Sequence, residues 1–238
     1  VPTGSTITGQ GNDTINVTYG TTTGQICVYS IDGCDTSNTP TCYTVTITPQ
    51  PVASVVPSAP SICTGSSTVL TASGGANYAW SPGTGLSSTT ASNPTANPTV
   101  TTTYTVTVSN GICVDTQAGT VTVNPIPPIS AGLDVSICNG SSTNLNATGG
   151  TSYVWSPATG LSSSVVSNPS ANPTITTTYI VTGTDANGCS NTDTVTVTIN
   201  NAIATANPSS TSICLGDSVQ ISVTGNGISW AWSPATSL

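Results

Sequence analysis

The residues that this 238-residue chain lacks limit what it can do. It has no Lys, Arg or His and no Phe or Met, and its eight acidic residues are all Asp. A chain without cationic side chains cannot make the phosphate contacts that dominate nucleic-acid affinity, and it cannot bind an anionic membrane through a basic patch. We therefore expect no nucleic acid and no direct membrane contact among its partners.

The same absences exclude most catalytic chemistry. Without His or Lys, a serine has no general base and a carbonyl substrate has no amine with which to form a Schiff base. An aspartic-protease loop needs Gly after Asp-Thr or Asp-Ser, and none of the Asp-Thr and Asp-Ser dipeptides in this chain is followed by Gly. We predict that the chain is not an enzyme.

Calcium is the one cofactor that we considered, because Asp carboxylates are common calcium ligands. The stretch DANG at 185–188 resembles a fragment of a calcium-binding loop, but the remaining oxygen ligands and the closing Glu are missing. We interpret Asp185 as a solvated loop residue, and we interpret Asp134 and Asp193 in the same way. We expect no metal and no other cofactor.

The residues that are present predict an all-β fold. Val and Thr alternate in TTYTVTV (102–108), in GTVTV (119–123) and in DTVTVTI (193–199). Such alternation is typical of an antiparallel sheet with one buried face and one wet face. No helical period is sustained, and no run of eighteen apolar residues suggests a membrane-spanning helix.

Internal repetition is the strongest signal in the chain. The stretch SICTGSSTVLTASGG (61–75) returns as SICNGSSTNLNATGG (136–150) and as SICLGDSVQISVTGN (212–226). The period is about 75 residues, which is too long for a short solenoid repeat and suits a small β domain. We therefore predict tandem antiparallel β-sandwich modules, and we expect the chain to be a segment of a longer array.

The alignment of the repeats sets the expected module boundaries. We predict the second half of a module at 1–50, complete modules at 51–124 and 125–200, and the first half of a further module at 201–238. The linkers between them contain Pro, so we expect semi-stiff spacers rather than loose tethers.

The eight cysteines predict disulfides and an oxidising, extracellular location. A zinc site would need cysteines two to four residues apart, and no two cysteines here are so close. Each complete module has two cysteines, and we expect them to pair within the module. The predicted bonds are Cys63–Cys113, Cys138–Cys189 and, across adjacent strands, Cys27–Cys42, with Cys34 and Cys214 paired to cysteines outside this segment.

The phrase YAWSPGTGLSS (78–88) returns as YVWSPATGLSS (153–163). Two interpretations compete: an exposed Trp that stacks on a carbohydrate, or a core Trp of a small sandwich. We favour the core, because large aromatic side chains dominate small cores. The predicted core residues are Trp80, Trp155, Trp232, Tyr104 and Tyr179.

These motifs together resemble a known family. SIC-x-G-SS, Y-x-WSP-x-TGLS, NP-x-ANPT-x-TTTY-x-V and NGC are similar to the PKD-like and Ig-like repeats of giant secreted surface proteins of Bacteroidota. The resemblance covers nearly the whole chain. It implies export by the type IX route and a role among gliding-motility adhesins, cell-surface filaments or the spacer regions of secreted enzymes.

The resemblance also implies a candidate site of modification, an O-glycosylation motif. DTI (13–15), DTV (193–195) and DSV (217–219) resemble the Asp-Ser/Thr-apolar O-glycosylation motif of Bacteroidota. Glycans would then sit on Thr14, Thr194 and Ser218. The alternative is that these are ordinary exposed hydroxyl residues, which are abundant in this chain.

Our leading functional hypothesis is a non-catalytic stalk or fibre of a giant extracellular adhesin or surface filament. Its expected partners are neighbouring modules of the same chain, other copies in a filament, or surface glycans. The alternative is an array of carbohydrate-binding or spacer modules attached to a secreted enzyme. The two differ in whether Trp80 and Trp155 are exposed.

Overall fold

The computed structural model of the chain describes residues 5–8, 14–29 and 39–233. All of the elements in these ranges are β-strands, so the described part of the chain has no helix that could span a membrane. The chain divides into two compact units, Val1–Val123 and Asn124–Leu238. This division falls one residue before the predicted 124/125 boundary, and the other module boundaries stay predictions.

The first unit contains short strands and one long hairpin. Its strands are β1 (Thr6–Thr8), β2 (Asn16–Thr18), β3 (Gly24–Val28), β4 (Thr41–Val45), β5 (Ser54–Val56), β6 (Ser61–Cys63), β7 (Thr68–Val69), β8 (Thr71–Ser73), β9 (Asn77–Ser81), β10 (Thr95–Ala96), β11 (Thr102–Ser109) and β12 (Val114–Asn124).

The N-terminal part of this unit has two antiparallel pairs, β1 with β2 and β3 with β4. Cys27 and Cys42 lie directly opposite each other in the second pair and form a disulfide. This is the bond that the sequence predicts across adjacent strands.

Residues 51–124 form a two-layer sandwich. One layer is a four-stranded sheet in the order β6-β12-β11-β9, and the other consists of the pairs β5–β8 and β7–β10. Strand β11 buries alternate residues, as its period-two pattern predicts. The core between the layers contains Val55, Ile62, Leu70, Ala72, Trp80, Ala96, Tyr104, Val106, Val108 and Val121.

The second unit repeats this plan. Its strands are β13 (Val135–Cys138), β14 (Thr143–Asn144), β15 (Ser152–Ser156), β16 (Ser170–Ala171), β17 (Thr177–Thr184), β18 (Ser190–Asn200), β19 (Ala204–Asn207) and β20 (Ser222–Gly225).

The four-stranded sheet of this unit has the order β13-β18-β17-β15, in which β13 is parallel to β18 and the other pairs are antiparallel. Its second layer contains the pair β14–β16 and a bridge between Ser130 and Thr148. The core contains Ile129, Ala131, Ile137, Leu145, Ala147, Trp155, Ala171, Tyr179, Val181, Val195 and Val197.

Residues 201–233 contain the antiparallel pair β19–β20. Contrary to the prediction, Trp232 does not lie in a core. Its side chain is 45% exposed, whereas that of Trp155 is 2% exposed. The reason is that the described part of this region has no counterpart of the long hairpin β17–β18, which covers Trp155 in the second unit.

The two disulfides predicted within complete modules are not formed. Cys113 and Cys138 are free thiols, whereas Cys63 and Cys189 are disulfide-bonded. In the second unit the reason is geometric, since Cys138 lies opposite Asn200 at the end of β18, and Cys189 precedes its start. A strand of this length spans roughly 35 Å, whereas a disulfide needs Cα atoms within about 7 Å.

The two remaining predicted cysteines are Cys34 and Cys214. Cys34 lies outside the described residues. Cys214 is an exposed free thiol.

Candidate functional site: the linker clamps

The chain that leads into the first complete module is bound to that module by side-chain hydrogen bonds. We call residues 49–53 its leading segment. Asn110 Nδ2 donates to the carbonyl oxygen of Pro49 (2.7 Å), and the backbone N–H of Ala53 donates to Asp115 Oδ2 (2.8 Å). The leading segment is therefore bound at two points, near the β11–β12 turn and near the start of β12.

The second complete module binds its own leading segment, residues 127–131, in the same way. Asn191 Nδ2 donates to the carbonyl oxygen of Pro127 (3.2 Å), and the backbone N–H of Ala131 donates to Asp193 Oδ2 (2.8 Å). The carboxylate contact has the same length in both modules, so it belongs to the repeat and not to one linker.

A glycine lies on the other side of each leading segment. A Cβ atom added to Gly74 would overlap the carbonyl oxygen of Val52, and one added to Gly149 would overlap that of Pro128. Both glycines also have positive φ, +112° and +92°, where other residues are strained. We call Gly74 with Asp115, and Gly149 with Asp193, the linker clamps.

A third copy of the glycine contact occurs in the last region. A Cβ atom added to Gly225 would overlap the carbonyl oxygen of Ile203. The next residue, Asn226, accepts a hydrogen bond from the Ile203 N–H and donates one to the carbonyl oxygen of Asn201, each 2.7 Å long. Each GG or GN step of the repeat therefore lies against the preceding linker.

The alternation of the long strands explains where the clamp carboxylates point. Asp115 shares the inward face of β12 with Val121, and Asp193 shares that of β18 with Val195. Both lie beyond the apolar core, at the end of the sheet that the leading segment covers.

Hydrogen bonding lowers the pKa of both clamp carboxyl groups. The largest cause for Asp115 is the bond from the Ala53 backbone, followed by one from Thr116. For Asp193 the causes are bonds from the Ala131 and then the Thr194 backbone. Backbone donors favour the charged carboxylate, which is the form that binds the linker. Asp193 is therefore not the solvated edge residue that the sequence suggests.

The repeated aromatic residues lie in the cores. Trp80 and Trp155 are buried, and each indole N–H donates to a backbone carbonyl at 2.9 Å, that of Ala91 and that of Val166. Their ring faces are unavailable for stacking on a sugar.

Two tyrosines anchor the long loop that follows the tryptophan strand. Tyr104 donates its hydroxyl to the Thr84 carbonyl (2.8 Å), and Tyr179 donates to that of Thr159 (2.9 Å). Both side chains are fully buried, and burial raises the pKa of each phenol. The TGL step of the repeated phrase is thus a structural turn held by a core tyrosine.

The DANG stretch is a closed turn. Asp185 Oδ1 accepts hydrogen bonds from the backbone N–H groups of Asn187 and Cys189, each 2.9 Å long. Over residues 5–8, 14–29 and 39–233, no three His, Cys, Asp or Glu side chains come together as a metal site.

The residues of the glycosylation motif are on the surface. Thr14, Thr194 and Ser218 are all exposed, and Thr194 lies on the outward face of β18 opposite Ile180. Their modification stays a prediction.

Comparison with known proteins gives structural neighbours alone. No protein-family model and no curated protein sequence matches the chain. Among solved structures, the two-Ig-domain chain of DIP-gamma is 12% identical with a TM-score of 0.32, covering 63% of this chain and 98% of that one. The insect immune protein hemolin is 14% identical with a TM-score of 0.36, covering 74% and 56%.

Extracellular domains 3–5 of Drosophila OTK are a third neighbour, 9% identical with a TM-score of 0.39, covering 68% of this chain and 67% of that one. Likenesses at this level say nothing about ligands or partners. The sheet order and the two cores define the class: the chain is an all-β array of Ig-like β-sandwich modules.

Sequence reasoning missed the linker clamps. Two features of the sequence mark them. One is the GG of ASGGANY and ATGGTSY, and the other is the Asp near the start of β12 and of β18. These residues lie about 40 positions apart in the chain, so the sequence does not show that both contact the same linker.

Proposed function

We propose that the chain is a load-bearing segment of an extracellular bacterial adhesin or surface filament, without catalytic activity of its own. The observation that carries the proposal is the linker clamp, which occurs in both complete modules with the same contacts. A clamp of this kind transfers a pull on the linker to the longest hairpin of the module. Its repetition supports a mechanical role over a role at one specialised site.

The composition and the buried tryptophans support the same proposal. Catalytic bases of the His and Lys type are absent from the whole chain. Trp80 and Trp155, the residues that a carbohydrate-binding array would present, are 4% and 2% exposed. The Cys27–Cys42 disulfide supports an extracellular location, since such bonds persist in oxidising compartments.

Single-molecule pulling between the two ends of the chain tests the proposal. We expect a separate force peak for the unfolding of each complete module. Asp115→Ala should lower the peak of one module and Asp193→Ala that of the other, because each removes a clamp carboxylate. Asp217→Ala is the matched control, since it removes the same charge outside both clamps.

Two results would count against a load-bearing role. One is extension without force peaks. The other is an unchanged peak force in the double variant Asp115→Ala/Asp193→Ala. Binding of the intact chain to a glycan array through Trp80 or Trp155 would instead favour the carbohydrate-binding alternative.

A further inference from the structure

The cysteines of a complete module lie at its two opposite ends. We call the end that binds the leading segment the leading end, and the opposite end the trailing end. In the second unit, Cys189 precedes β18 at the leading end, whereas Cys138 lies opposite the last residue of β18, Asn200. We call Cys63 and Cys138 the early cysteines, and Cys113 and Cys189 the late cysteines.

Bonding states show that these cysteines do not pair within their modules. Cys63 is disulfide-bonded although Cys113, the other cysteine of its module, is a free thiol. Cys189 is disulfide-bonded although Cys138 is free. Each bonded cysteine therefore has its partner outside its own module.

A structural marker identifies equivalent residues at the trailing ends. The backbone N–H of Ile199 donates to Thr176 Oγ1 (3.0 Å), and that of Ile47 donates to Thr23 Oγ1 (3.0 Å). The residues that follow, Asn200 and Thr48, are therefore equivalent positions of two modules.

Both kinds of cysteine approach this one position. The early cysteine Cys138 lies directly opposite Asn200 within its own module. The late cysteine Cys113 donates its thiol to the carbonyl oxygen of Thr48, which belongs to the preceding module (3.5 Å). A module's early cysteine and the following module's late cysteine thus lie beside equivalent positions of the repeat.

We propose that the early cysteine of each module forms a disulfide with the late cysteine of the module that follows, so that every linker is bridged by a covalent staple. Formation of the bond removes two protons and two electrons from the two thiols. A disulfide donor accepts them by exchange and is itself reduced to two thiols. Cys113 and Cys138, free here, would take partners from modules on either side.

This pairing goes beyond the proposed function and does not depend on it. It differs from the pairing that the sequence suggests, because it connects modules to one another and not the two ends of one module. Its consequence is that a module that unfolds under load extends less, because the bond from the preceding module bypasses the backbone that lies before its late cysteine.

Peptide mapping of the intact, unreduced chain tests the proposal directly. Trypsin has no site in this sequence, so cleavage would use thermolysin or an Asp-specific protease, followed by mass spectrometry. We expect the peptide with Cys63 to be cross-linked to the late cysteine of the following module, and the peptide with Cys189 to the early cysteine of the preceding module. A Cys63–Cys113 or Cys138–Cys189 peptide would overturn the proposal.

Thiol labelling of variants gives a second and independent readout. Before reduction, iodoacetamide should label Cys113 and Cys138 but not Cys63 or Cys189. Cys138→Ser should remove one labelled thiol and leave Cys189 unlabelled, whereas Cys189→Ser should expose one new thiol outside residues 125–200. If Cys138→Ser instead exposes Cys189, the bond lies within the module and the proposal is wrong.

Discussion

At the scale of single residues, each module binds its linker through two features that lie outside its apolar core, a carboxylate and a glycine. The carboxylates of Asp115 and Asp193 each accept a backbone N–H of the chain that leads into the module. Gly74 and Gly149 allow that chain to pass close on its other side. Without the carboxylates, only the two asparagine side-chain hydrogen bonds of those described above still hold the linkers to their modules.

The clamp carboxylates predict that the fold is weakened by acid. Their folded pKa values are lowered, so their contribution is complete above the ordinary Asp pKa of about 3.9 and is lost as the pH falls through the lowered values. We expect the thermal midpoint to fall in this range and Asp115→Ala/Asp193→Ala to show a smaller fall. Thermal melts followed by circular dichroism at pH 7 and below would show this.

Asp217→Ala is the control for the acid experiment, since it removes a carboxylate outside the clamps. An acid dependence that is the same in the wild-type chain and in the double variant would contradict this account of the carboxylates.

The glycine side of the clamp predicts a difference between two substitutions at similar backbone angles. Gly140 and Gly149 have φ of +83° and +92°, but a Cβ atom at Gly140 meets nothing within 4 Å. Gly140→Ala should cost only the left-handed strain of roughly 1–2 kcal/mol. Gly149→Ala must also displace the Pro128 carbonyl and should cost at least about 1 kcal/mol more.

Urea unfolding of the two glycine variants would give both free energies. Equal losses would mean that the linker does not press on Gly149 in solution.

At the scale of elements, each module is organised by one long antiparallel hairpin, β11–β12 or β17–β18. The tryptophan strand pairs with its first strand, and the early-cysteine strand lies beside its second. Buried Tyr104 and Tyr179 fasten the loop that connects the tryptophan strand to the hairpin. The repeated phrase around each Trp is therefore a part of the core and of its turn.

Burial of the repeated tryptophans predicts two classes of fluorescence. Trp80 and Trp155 are 4% and 2% exposed, whereas Trp230 and Trp232 are 41% and 45% exposed. In a Trp230→Phe/Trp232→Phe variant, the remaining emission should be blue-shifted and resist quenching by acrylamide. A Trp80→Phe/Trp155→Phe variant should show red-shifted, strongly quenched emission.

Strong quenching of the variant that retains Trp80 and Trp155 would place these rings on the surface. It would then return the carbohydrate-binding hypothesis to consideration.

The elements also show how far the sequence alone can lead. The period-two pattern of 102–108 identifies β11 and its buried Tyr and Val residues, because alternation depends only on local geometry. The pairing of cysteines depends instead on β13 lying parallel to β18, with Cys138 beside Asn200. No local pattern shows that register, so the expected bond within the module was wrong. The linker clamps were missed for the same reason.

At the scale of the whole chain, one type of module recurs with its own core and its own clamp on the preceding linker. The sequence predicts Pro-containing linkers that act as semi-stiff spacers. The structure adds that residues 49–53 and 127–131 are bound to the module that follows each of them. The central claim of this account is therefore that the leading segments belong to the folded modules.

Backbone ¹⁵N relaxation of the intact chain is the most direct test of that claim. We expect order parameters of about 0.85 at Ala53 and Ala131, as in the rigid strands β11 and β17. Asp115→Ala should lower the value at Ala53 and leave Ala131 unchanged, and Asp193→Ala should do the reverse. Order parameters below about 0.6 at both alanines in the unaltered chain would show free linkers and contradict the account.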